Sequence, residues 1–121
     1  NFSTWAWIED SRLGTYADLV LQVSQAEEKT TSTSQEPYMQ VSGRDMHGVN
    51  VGPLRFWRYT ENEVQPGRTY VFRGLKVVSA QLWSDEQWKY VNRDDGGKAV
   101  ECNARTAVED VTRVDSIMAY F

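Results

Sequence analysis

Apolar positions in this chain come in short runs, each bounded by residues that favour turns. The run Leu19-Val20-Leu21-Gln22-Val23 predicts a first strand. Residues 26–37 follow, with Thr30-Thr31-Ser32-Thr33-Ser34-Gln35 at their centre; no apolar periodicity is present, which predicts a long flexible loop. Tyr38-Met39-Gln40-Val41-Ser42 resumes extended structure, and Arg44-Asp45-Met46-His47-Gly48 has the Asp and Gly of a turn. Leu54-Arg55-Phe56-Trp57-Arg58-Tyr59 is a third strand, and Gln65-Pro66-Gly67-Arg68 places Pro and Gly as a type II turn does. Residues 70–78 give the strongest strand signal, and Gly74 within them predicts a bulge. Residues 87–91 and 98–102 flank Asn92-Arg93-Asp94-Asp95-Gly96-Gly97, which predicts a hairpin. Val108, Val111, Val114, Ile117 or Met118, and Phe121 recur every three or four residues. That spacing predicts a short C-terminal helix over residues 108–118, docked on the barrel or on a protein partner. Five or six short strands of this kind imply all-β closure, and the bent strand at Gly74 favours a barrel over a sandwich.

Composition narrows the picture. The 121 residues, 40% hydrophobic and 25% charged, suit one domain with one core. Residues 1–17 read as an N-terminal strap. No apolar run approaches the ~20 residues that span a bilayer, so a soluble domain is expected. The start, Asn1-Phe2-Ser3-Thr4-Trp5, has neither an initiator Met nor a leader pattern, as expected of an excised domain or processed product. The single cysteine, Cys102, cannot close an internal disulfide, which fits a reducing nuclear or cytoplasmic setting. Alternation puts Cys102 on the Val100 face, as a small core residue. Net charge is −4, yet residues 44–105 hold ten Lys/Arg against eight Asp/Glu, while the flanks hold three against nine.

Catalytic chemistry finds few parts. His47 sits in a turn beside Asp45 with no Ser or Cys nucleophile nearby, so an exposed turn residue is expected. One His and one Cys cannot make a zinc site. The carboxylates are adjacent in sequence rather than patterned, and no glycine-rich phosphate loop is present. The expectation is a non-enzyme without cofactor or metal.

Aromatics and cations interleave instead. Period two puts Arg55, Trp57 and Tyr59 on one strand face and Leu54 and Phe56 on the other. Trp88 and Tyr90 share a face around Lys89. A single-stranded nucleic acid is held by such a surface, because base stacking is worth about 1–3 kcal/mol per base while cations track phosphates. The expected contacts are Arg55, Trp57, Tyr59, Lys76, Trp88, Lys89, Tyr90 and Arg93, with Arg44 and Lys98 at loop positions. Trp5, Trp7 and Trp83 are expected to pack structurally.

In serial order these runs resemble the single-stranded-DNA-binding OB domains of the replication protein A large subunit. Residues 38–48 resemble that family's second strand and its Asp-x-x-Gly turn, here Asp45 and Gly48. Leu54-Arg55-Phe56-Trp57 resembles the third strand with its stacking aromatic, a place open to Trp57 or Tyr59. Residues 67–78 are similar to the segment entering the fourth strand, and residues 87–91 to the stretch with a second aromatic. The resemblance spans roughly residues 8 to 112. It implies a five-stranded OB-type β-barrel whose first loop and 92–97 loop clasp single-stranded DNA, RNA being possible in physical terms. It also implies nuclear work in DNA replication or repair. Two other classes stay open: an OB-fold protein–protein adaptor within a larger complex, and a β-sandwich that binds carbohydrate on exposed tryptophans.

Overall fold

The computed structural model describes residues 2–30, 35–57, 63–84, 89–92 and 97–112, with 81–84 and 89–92 described as backbone. Helix α1(Trp5–Glu9) precedes β1(Tyr16–Thr30), β2(Pro37–Arg44), β3(Asn50–Phe56) and β4(Thr69–Ser79). The strands β5(Gln81–Ser84), β6(Lys89–Asn92), β7(Lys98–Cys102) and β8(Ala107–Asp110) complete the order.

Five strands close on themselves in the order β1-β2-β3-β7-β4, with β4 returning to β1. Every pair in the ring is antiparallel except β3–β7, which is parallel. This is an OB-type barrel. The ring closes because β7 is inserted between β3 and β4 rather than paired with its neighbour in sequence. The hairpin expected around residues 92–97 is thereby corrected: β6 pairs with β5 in a separate two-stranded sheet, and β7 joins the barrel. A run of Ala99, Val100 and Cys102, all fully buried, needs that covered position.

Local chemistry explains the bends. At Gly67 φ is +84°, and Arg68 N–H donates to the Gln65 carbonyl, as the type II turn requires. At Gly74 φ is +80°, and the β1–β4 register shifts between Ala17 and Leu19 to admit the extra residue. Asp18 fixes that bulge by accepting from Gly74 N–H at 2.9 Å.

The interior holds Leu19, Leu21, Val41, Leu54, Phe72 and Leu75, each with no exposed surface. Trp5 and Ile8 of α1 join this core, whereas Trp7 on the same helix is 49% exposed, contrary to the expectation that it packs. A second, smaller cluster of Val20, Val71 and Val111 lies apart from it, covered by Phe2.

Two further expectations are corrected. Residues 26–30 are not loop: β1 and β2 continue as a paired ribbon, from Ala26↔Val41 to Thr30↔Pro37. Polar residues dominate there because the ribbon runs out toward solvent, and only main-chain pairing keeps it extended. The C-terminal helix does not begin at residue 108. Residues 107–110 form β8, which pairs Tyr70↔Asp110 through Arg73↔Ala107 along the edge of β4 that β7 leaves open. Val108 packs against the barrel core while Val111 packs in the second cluster. Their three-residue spacing therefore serves two surfaces rather than one helix face. Residues 113–118 of the expected helix lie outside the described residues.

Candidate nucleic-acid interface

The outer surface of β2 and β3 is built by alternation. Met39, Val41, Leu54 and Phe56 point into the core, so Tyr38, Gln40, Arg55 and Trp57 occupy the opposite side. The registers Met39↔Phe56 and Gln40↔Arg55 set these residues side by side. Tyr38 and Trp57 meet with ring centroids 4.8 Å apart and planes tilted by 43°. Tyr38 is buried at 3% exposure, outside the cluster that Met39 and Val41 join. Trp57 is half-buried and keeps part of its surface open. On the neighbouring strand Lys29 is the register partner of Tyr38, with its Nζ 3.8 Å from Glu27 Oε2. An aromatic pair, a cation and the amide of Gln40 thus share one patch.

Arg55 does not serve as expected. The face assignment holds, but only 4% of the residue is exposed. Its guanidinium donates to the Ala80 carbonyl at 3.1 Å and to the Ser79 carbonyl at 3.4 Å. So covered, the guanidinium offers almost no surface to a phosphate in solvent. Lys76 is exposed on β4, between Tyr16 and Glu101 in register. Glu101 of β7 lies between it and Arg55, so Lys76 is not brought to the aromatic pair. Lys89 and Tyr90 lie on β6, paired with Ser84 and Trp83 in the separate hairpin. Tyr59, Trp88 and Arg93 lie outside the described residues.

Beside the patch, an open hollow of about 380 Å³ is lined by Trp5, Gln40, Ser42, Gly52, Pro53 and Lys98, among others. Lys98 Nζ donates to the Glu9 carbonyl at 3.2 Å, which ties α1 to the start of β7. Loop cation Arg44 is exposed at the far end of β2. The hollow offers amide, hydroxyl and ammonium groups next to a stacking surface. Such groups can hold a planar, polar ligand without covalent chemistry.

Sequence reasoning passed over Tyr38, Gln40 and Lys29. Tyr38 and Gln40 could have been found, because Met39 and Val41 inside force them outside. Lys29 could not, since it lies in a polar tract without apolar periodicity and only strand register brings it opposite Tyr38.

Elsewhere, His47 is exposed in the β2–β3 turn, as expected. Burial pushes the Cys102 thiol well above its ordinary pKa, as befits a core residue. Among the described residues no group of three or more His, Cys, Asp or Glu is placed to hold a metal. Among the same residues no helix is long and apolar enough to cross a membrane. Comparison with protein-family models, with curated proteins and with solved structures finds no match.

Proposed function

We propose that this domain is a non-catalytic module for single-stranded nucleic acid, DNA in the first instance, that stacks bases on the Tyr38–Trp57 surface. The observation that carries the reading is the half-open Trp57 ring laid against Tyr38 on the outer β2–β3 face of an OB-type barrel. Tyr38 backs the indole, so Trp57 meets a base as a rigid platform rather than a free side chain. Lys29 is the cation opposite Tyr38 in register, and Gln40 supplies donor and acceptor groups for a base edge. Two arms extend from the barrel beside this face, the β1–β2 ribbon and the β5–β6 hairpin, where ligand-clasping loops of OB domains belong. Titration with a labelled oligothymidylate, run beside the Trp57→Ala chain, tests the proposal.

A protein-adaptor reading stays in view for one reason. Trp7, Leu13 and Tyr16 are 49%, 59% and 57% exposed within ten residues of chain, more apolar surface than so short a stretch usually leaves to water. A chain that ignores nucleic acid at low salt and loses a protein partner on Trp7→Ser would follow that second reading.

A further inference from the structure

Arg55 is a buried guanidinium on the outside of a barrel, a place where a charged residue ordinarily faces water. Its two described acceptors are consecutive carbonyls, Ser79 and Ala80, at the point where the chain leaves β4 and enters β5. Ala80 is fully buried there, and its N–H donates to the Gly97 carbonyl at 3.1 Å, where the chain returns to β7. Beyond that root, β5 and β6 pair with each other as a two-stranded sheet separate from the barrel sheet. The direction in which the hairpin leaves the barrel is thus set at the root, by Gly97 on one strand and Arg55 on the other. Trp57 is two residues on, just past the end of β3, roughly 7 Å away at about 3.3 Å per residue.

We propose that Arg55 is a positioning residue for the nucleic-acid face: it fixes the exit of the β5–β6 hairpin beside Trp57 and touches no ligand itself. The inference rests on the proposed function for its effect on binding, while the anchoring can be tested without ligand. A planar fork that grips two carbonyls defines a direction, which a lysine ammonium on a flexible stem does not. An arm held ready loses less freedom when it closes on a strand, so losing the anchor weakens binding without removing a contact. A phosphate-binding arginine behaves differently, because loss of its charge lowers the salt dependence of affinity.

The test measures oligothymidylate affinity across a salt series for the unaltered chain, Arg55→Lys and Arg55→Gln, with amide hydrogen exchange on all three. Both variants are expected to bind about tenfold more weakly, with the salt slope unchanged. Exchange should quicken at residues 80–84 and 89–92 while β1 and residues 69–78 of β4 stay protected. Binding of Arg55→Lys equal to the unaltered chain, or a slope reduced by about one charge in Arg55→Gln, overturns the proposal. Should either variant fail to fold, the unaltered chain still decides, because rapid exchange of the Ala80 N–H there contradicts a fixed root. An unaltered chain that binds no oligonucleotide removes the function proposed above, and the exchange data then judge the anchor alone.

Discussion

Trp5 occupies the space that a side chain on Gly52 would need. A Cβ built on Gly52 stands 2.5 Å from Trp5 Cζ2 and 2.9 Å from the Lys98 carbonyl oxygen. The glycine in β3 therefore lets α1 lay its indole directly on the barrel wall. Gly52→Ala should destabilise the fold by about 1–3 kcal/mol, the usual cost of overpacking a site whose neighbours cannot retreat. Chemical denaturation checks this, and an unchanged midpoint would mean that α1 is not seated against β3.

Asp45 holds the other end of that contact. Its Oδ2 accepts from Trp5 N–H at 2.9 Å, and its Oδ1 accepts from His47 N–H at 2.8 Å and Val49 N–H at 3.0 Å. One buried carboxylate thus closes the β2–β3 turn and receives the start of α1. Asp45→Ala leaves these donors without their acceptor and should cost roughly 1–3 kcal/mol. Thermal melts of the variant are expected to show a lower midpoint, with early exposure of Trp5 seen as a red shift in tryptophan emission.

Acid should weaken the barrel through Asp110. The hydroxyl and N–H of Thr112, and then the Arg68 guanidinium at 2.6 Å, hold its carboxyl down from 3.8 to about 2. A group whose pKa falls on folding stabilises the native state above its unfolded value, and that stability is lost as pH drops through the folded one. The loss belongs between about pH 4 and pH 2. Because the pair is substantially exposed, its contribution is modest. Melting curves at pH 6 and pH 3 for the unaltered chain and Asp110→Asn should converge in acid; an equal gap at both values would place the acid sensitivity elsewhere.

Much of the barrel was legible because its signals are local. Pro66-Gly67 announced a type II turn and Gly74 a bulge, and both formed for the backbone reasons that make those residues informative. Alternation likewise placed Leu54 and Phe56 inside. What the sequence hid depends on pairing across distance. The β1–β2 ribbon beyond Ala26 has no apolar pattern on the β1 side, where Glu27, Glu28 and Thr30 are exposed, and its ladder with residues 37–42 makes it strand. Residues 107–110 are extended because β4 has an edge to satisfy, which no local propensity records. Arg55 shows the same limit at the site. Alternation gave its face correctly but could not show that the root of a hairpin lies on top of it.

Trp57→Ala tests the stacking platform. Its loss removes the cover over Tyr38, and with it a base contact worth about 1–3 kcal/mol, or roughly 5-fold to 150-fold in affinity. Because Trp57 is only half-buried and stands outside the core, the variant should remain folded.

The most direct measurement is fluorescence anisotropy of a labelled oligothymidylate titrated with the unaltered chain and with Trp57→Ala, at low and at moderate salt. The expected result is micromolar or tighter binding that weakens as salt rises and falls at least severalfold in the folded variant. Absence of binding at low salt, or equal affinity in the two chains, would contradict a nucleic-acid face built on Tyr38 and Trp57.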